Sequence, residues 1–192
     1  MGIEIEAKMR LDDPAKLEGQ LITMGAHRGR DVIETNTYFD THDGSLRTSD
    51  QALRIRVEQQ THGDGQSVII THKGPRTAGD LKRRPETQFQ ADDAKAIADL
   101  FEALGYYAVV RFQKRRRYWE LDGCEVVIDS LPHLGHFMEI EGPTDQAVLS
   151  LREKLGMDTL PMIPQSYLAL LDEYLKAHPD ASRDLSFDIP LS

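Results

Sequence analysis

The sequence predicts an α+β fold: a closed eight-stranded antiparallel β-barrel, a tunnel, with amphipathic helices packed outside it. Three observations lead there. Strand after strand alternates apolar and charged residues with period two, so each carries one apolar and one ionic face. The helical segments are amphipathic and need an apolar surface to lie on, which the apolar strand faces supply. The ionic faces must then meet water or one another; an open sheet would expose them, whereas closure gathers them into a polar lumen.

The elements follow in order. Ile3 to Leu11 is a strand with Ile3, Ile5, Ala7 and Met9 on one side and Glu4, Glu6, Lys8 and Arg10 on the other. Asp12-Asp13-Pro14 starts a helix, with an acidic N-cap and an early proline; Leu17, Leu21 and Met24 form its stripe and Gly25 stops it. His27 to Thr41 is a second strand, followed by a polar loop with an Asp43-Gly44 turn. Ala52 to Glu58 and Ser67 to Lys73 are the third and fourth strands. Gly74-Pro75 ends the latter, and a polar loop runs through Arg84. Pro85 sits near the start of the fifth strand, where its missing N–H is tolerated. Asp92 caps a second helix with Ile97, Phe101 and Leu104 as its stripe. Tyr106 to Leu121 and Cys124 to Asp129 form a hairpin about Asp122-Gly123, and His136 to Glu141 is the last strand. Thr144 caps a third helix ending at Gly156, and a fourth follows Pro164 with Leu168, Leu171 and Leu175. Residues 1–176 read as one domain and 177–192 as a polar C-terminal tail, an appendage open to packing on a partner. A faint internal echo (strand, Asp-Asp, helix, Gly, strand) at Ile3–Arg28 and Thr87–Val110 suggests two similar halves.

Composition narrows the function. A net charge of −9 disfavours non-specific nucleic-acid binding but leaves a local anion site open. The single cysteine, Cys124, cannot form an internal disulfide, which points to a reducing, cytoplasmic setting. No N-terminal apolar run resembles a signal peptide and no stretch approaches spanning length, so no membrane partner is expected.

The ionic faces carry the chemistry. Parity places Glu4, Glu6, Lys8, Arg54, Arg56, Lys73, Lys114, Arg116, Asp129, Glu139 and Glu141 toward the lumen, with Arg84 and Glu86 beside them. Converging bases in an enclosed space repel one another, and an oligophosphate relieves that, with Arg giving forked contacts. Carboxylates do not bind phosphate directly; they are hard oxygen ligands for Mg²⁺ or Mn²⁺ held between protein and phosphate. Glu4 and Glu6, two apart on a strand, reach one such region.

The run Glu4-Ile5-Glu6-Ala7-Lys8 resembles the signature of the CYTH, or triphosphate tunnel metalloenzyme, superfamily. In order, Tyr38-Phe39-Asp40, Ala52 to Arg56, Thr71 to Pro75, Lys114 to Arg116, Ile128-Asp129, Leu134 to Glu141 and Ser166-Tyr167 resemble it too. The similarity runs from about residue 3 to 175 and is nearest to the class IV adenylyl cyclase-like branch. The resemblance implies that Glu4, Glu6, Asp129, Glu139 and Glu141 hold Mg²⁺ or Mn²⁺, and that Lys8, Arg54, Arg56, Lys73, Arg84, Lys114 and Arg116 hold the triphosphate. Glu4, Glu6, Lys8, Asp129 and Glu139 would be the catalytic group. Pro85 stands where the family often has an acid, a departure on that edge of the lumen. The helix with Ser166 and Tyr167 would lie near one mouth, and a homodimer is common in such barrels.

Two reactions suit such a lumen. In a cyclase the ribose 3′-hydroxyl of ATP attacks the α-phosphorus and pyrophosphate leaves; in a tripolyphosphatase or thiamine triphosphatase, water attacks the terminal phosphorus. A nucleotide- or polyphosphate-binding module without turnover is the competing class, disfavoured because holding an anion needs bases more than acids. Other residues have plainer readings. Cys124 packs in an apolar face, His72 points outside, and His133 and His136 lack a third ligand. Trp119, Arg115 and Arg117 share the outer face of their strand.

Overall fold

The computed structural model describes residues 2–77 and 81–187; part of the Gly74–Arg84 loop and the last five residues of the tail lie outside them. Eight strands follow in chain order: β1 (Gly2–Leu11), β2 (His27–Asp40), β3 (Ala52–Gln60), β4 (Gln66–Lys73), β5 (Lys82–Ala91), β6 (Tyr107–Leu121), β7 (Cys124–Leu131) and β8 (Gly135–Glu141). They pair antiparallel in the spatial order β2-β3-β4-β5-β1-β8-β7-β6, and β2 pairs with β6 to close the barrel. The expected architecture is the observed one. β5 begins three residues before Pro85, whose ring faces Gly74 from the neighbouring chain segment.

Helices α1 (Pro14–Thr23), α3 (Ala94–Ala103), α4 (Asp145–Lys154) and α5 (Tyr167–Ala177) answer the four anticipated ones. Asp13, Thr144 and Ser166 cap their helices through side-chain oxygens. The cap of α3 is Asp93 rather than Asp92: its carboxylate accepts from Lys95 N and Ala96 N, while Asp92 lies in the bend just after β5. A short α2 (Ser45–Thr48) was not anticipated. It is built on Asp40, whose carboxylate accepts from the amides of Thr41, Leu46 and Arg47. No helix among the described residues is long and apolar enough to cross a membrane.

The largest part of the core lies outside the barrel, with smaller apolar clusters on the inner faces. α1 and α4 bury Leu17, Leu21, Val148 and Leu151 against Met9, Val126, Ile128, Met138 and Ile140, all from the apolar faces of β1, β7 and β8. α3 lies over Ile55, Val68 and Ile70. Each such side chain contributes about 1.5–3 kcal/mol by leaving water. Trp119 joins the α1–α4 core and Arg117 pairs with Glu18 of α1, so both sit on the outer face. Cys124 is buried there too. The β2 bulge opposite Trp119, between Arg28 and Asp31, leaves that parity intact.

The tail does not stand off. A two-residue strand, β9 (Asp184–Leu185), runs parallel to β6 at Arg111 and Phe112, on the stretch of β6 that β7 does not reach.

Candidate active site

Alternation brings the ionic faces inward. Glu4, Glu6, Lys8, Arg54, Arg56, Lys73, Arg84, Lys114, Arg116, Glu139 and Glu141 line one cavity of about 70 Å³. Asp129 sits immediately behind its wall, fully buried. The charges divide by strand. β1 and β8 supply Glu4, Glu6, Glu139 and Glu141 with one base, Lys8, whereas β3, β4 and β6 supply Arg54, Arg56, Lys73, Lys114 and Arg116.

The basic side is organised by an acid the sequence reading passed over. Glu34 of β2 is fully buried, with Arg56 Nε at 3.1 Å, Lys114 Nζ at 3.3 Å and Arg116 Nε at 3.7 Å. Asn36 Nδ2 and Tyr118 OH donate to it at 3.4 Å each. Burial alone would raise its pKa, but Arg56, Lys114, Arg116 and Arg54 outweigh that and hold the carboxyl far below the usual range. The signal was present: Val32, Glu34, Asn36 and Tyr38 alternate along β2, but no face was read for that strand.

Asp129 is the second fixed counterion. Arg116 donates to it through both Nε (2.7 Å) and Nη2 (2.6 Å), Lys114 lies at 3.3 Å, and Tyr167 OH donates at 2.8 Å. Arg116 also pairs with Glu139. Burial, then the charges of Asp129 and Glu139, push Tyr167 well above its ordinary pKa, so it stays a donor. Burial, then the positive charge of Arg116, lowers Lys114.

The acidic side is more open around Lys73 and Glu4 and closed around Lys8 and Glu139. Lys73 Nζ reaches Glu4 at 2.7 Å and Glu86 at 2.8 Å; Lys8 Nζ reaches Glu139 at 3.1 Å and the carbonyl of Gln165 at 3.1 Å. Glu141 pairs directly with Glu6 on one side and Glu125 on the other. Burial first, then Glu4, Glu6 and Glu125, push its carboxyl up to about 7. Like charges opposed across strands are destabilising unless a cation intervenes. Among the described residues no three carboxylates, imidazoles or thiolates already stand in ligating geometry; the lumen acids face lysine and arginine instead.

Arg84 lines the cavity where it meets the mouth, and its guanidinium is committed to backbone carbonyls. Its guanidinium donates to the carbonyl of Gly74 at 2.6 Å and that of Asp50 at 2.8 Å, tying two loops together. Arg54 donates to Thr71 Oγ1, and its buried Nε has no hydrogen-bond partner. Arg10 shares lumen parity but lies exposed beyond the cluster, donating to the carbonyl of Leu134. Ser166 and Tyr167 start α5 over the same end, as anticipated. There the lumen opens into a mouth of about 520 Å³ walled by α2, α5 and the chain around Arg76.

The CYTH domain family matches residues 2–167 of the sequence. The chain belongs to the CYTH domain family. The match takes in all eight barrel strands and the start of α5. A Methanocaldococcus jannaschii protein named as a candidate adenylate cyclase is 32% identical, over 88% of this CYTH chain and 98% of that one. Adenylate cyclase CyaB of Aeromonas hydrophila is 29% identical, over 90% of each. Among solved structures, the PH1819 protein of Pyrococcus horikoshii superposes with a TM-score of 0.78 at 26% identity, covering 89% of this chain and 99% of that one.

Proposed function

We propose that this CYTH protein is a divalent-metal-dependent enzyme acting on a triphosphate, and that it works as a class IV adenylyl cyclase, converting ATP to cyclic AMP and pyrophosphate. The observation that carries this is an acidic side opposite a basic side within one cavity, where Glu141 stands directly across from Glu6 on one neighbouring strand and Glu125 on the other. A pure anion binder has no use for that mutual repulsion.

The donor set fits a hard divalent cation: Glu4, Glu6, Glu139 and Glu141 offer oxygens on one side of the cavity and relieve their own repulsion by binding it. Asp129 already answers three donors and serves as a counterion to Arg116 and Lys114. Mg²⁺ or Mn²⁺ held there would neutralise phosphate charge and favour an oxygen nucleophile. Lys8, Arg54, Arg56, Lys73, Lys114 and Arg116 take the phosphate oxygens, Arg forking where two oxygens are offered. Arg84 holds the rim. The ribose 3′-oxygen attacks the α-phosphorus, its proton passes to a lumen carboxylate, and pyrophosphate departs. The names of the two curated relatives support the cyclase assignment over hydrolysis.

Product analysis tests this. The protein is incubated with Mg²⁺ or Mn²⁺ and, separately, ATP, tripolyphosphate and thiamine triphosphate. Cyclic AMP with pyrophosphate is the expected result; orthophosphate alone would assign a triphosphatase. Glu6→Gln should abolish turnover while leaving part of the nucleotide binding. No turnover of any substrate, with binding indifferent to Glu6→Gln, would make the barrel a binding module.

A further inference from the structure

The C-terminal segment adds a wall to the mouth that the matched family region, ending at residue 167, does not contain. Five residues, Arg183 to Phe187, are strapped along β6. Arg111 N donates to Arg183 O at 3.1 Å, and the Arg111 guanidinium meets Asp184 at 2.6 Å. Leu185 is 3% exposed, packed with Tyr38, Phe112, Tyr167 and Leu171. Phe187 N donates to Gln113 Oε1 at 3.1 Å. The strap is thus pinned by main chain, ion pair and core contact together. Its first residue lines the 520 Å³ mouth with Arg47 of α2 and Asp172 and Leu175 of α5. Among the described residues no ion pair or hydrogen bond engages the Arg183 guanidinium.

We propose that Arg183 is a specificity residue for the organic group of the substrate, held in place by Leu185 as a positioning residue. The inference rests on the reading that the lumen holds a triphosphate. A bare triphosphate has no need of the mouth; that space suits a group of nucleoside size, beside apolar Leu168 and Val110. A free guanidinium stacks on a planar heterocycle and donates to its ring nitrogens or carbonyls. The substrate class is therefore a triphosphate ester with a planar, acceptor-bearing base, in preference to inorganic triphosphate.

The test compares apparent dissociation constants of ATP and inorganic tripolyphosphate at matched Mg²⁺, by thermal shift, on the full chain. The wild type should bind ATP more tightly. Arg183→Ala, an exposed change, should lower the ATP-to-tripolyphosphate affinity ratio about ten-fold, the range for a hydrogen bond to a charged group. Leu185→Asp, which unseats the strap, should lower the same ratio. An unchanged ratio in Arg183→Ala overturns the proposal. So does a Leu185→Asp variant that loses both ligands equally, since the strap would then merely support the barrel. If the wild type binds neither compound, the triphosphate reading itself fails, an outcome distinct from a ratio that does not move.

Discussion

Replacing Glu34 by Gln should weaken the free protein and tighten its grip on triphosphate. Glu34 is the fully buried acid among Arg56, Lys114 and Arg116. Glutamine keeps the volume but removes the charge, and its amide turns a donor toward three cations. Breaking one partner out of a buried ionic set costs about 3–5 kcal/mol, because the remaining charges stay buried and uncompensated. At roughly 2–4 °C per kcal/mol for a chain of this size, the melting temperature should drop by about 10 °C.

A bound triphosphate restores the missing negative charge. In EDTA, which isolates the basic side, tripolyphosphate at about 100 times its Kd stabilises the wild type by about 2.7 kcal/mol. If the variant binds ten-fold more tightly, the same concentration adds about 1.4 kcal/mol more. The gap between the two melting temperatures should therefore narrow by about 3–6 °C as tripolyphosphate is added. Differential scanning calorimetry with and without the ligand reads this directly. A gap that stays constant or widens would refute the argument, because Glu34 would then be organising something other than an anion site.

Other outcomes follow from the same geometry. Tyr167→Phe removes the hydroxyl that donates to Asp129 while Arg116 and Lys114 still answer that acid, so it should cost about 1–2 kcal/mol, measurable by urea denaturation. Arg84→Ala releases the carbonyls of Gly74 and Asp50 and should speed tryptic cleavage after Arg76, followed by mass spectrometry. Glu141 has a folded pKa of about 7, above its unfolded value, so its contribution is fully present below about 4.5 and is lost as pH rises through about 7. Glu141→Gln should consequently raise the melting temperature of the metal-free protein at pH 8 and leave it little changed at pH 4.5.

Much of this was legible because a strand's two faces cannot be mixed. Once Ile3, Ile5, Ala7 and Met9 were assigned outward, Glu4, Glu6 and Lys8 had to point in, and the cavity lining bears that out. Parity states direction but not depth. It could not tell that Arg10 clears the rim, that Arg84 is spent on loop carbonyls, or that Asp129 is enclosed by three donors. The same parity that turns Lys114, Arg116 and Asp129 inward turns Phe112, Tyr118 and Val127 inward as well, so the inner faces become apolar on both sides of the charged band. Phe112 and Phe137 sit inward beneath α5, and Val32, Tyr118 and Val127 form a separate inner cluster. The tail misled for another reason. Its composition is polar, and its attachment uses a lone leucine, an ion pair to Arg111 and a vacant edge of β6 that exists only after the barrel closes.

The two kinds of lumen acid separate by what they can give up. Glu34 and Asp129 are fully buried, each shared by several cations, and losing them would strand those cations. Glu4 pairs instead with Lys73 at the more open side, and Glu139 is divided between Lys8 and Arg116. A phosphate oxygen arriving at Lys73 and Lys8 competes for those ammonium groups, and the released carboxylates then need another cation. Triphosphate and divalent metal should therefore each promote the other's binding, by a common factor that linkage makes reciprocal, of order ten-fold. Calorimetric titration of tripolyphosphate at several Mn²⁺ concentrations, corrected for the complex the two form in solution, measures that factor. Glu4→Gln should reduce it, because a neutral amide no longer gains from the cation when Lys73 departs. Independent binding of metal and triphosphate, with no residual coupling after the correction, would mean that the lysine–carboxylate pairs are permanent struts and that substrate is held somewhere other than between these two sides.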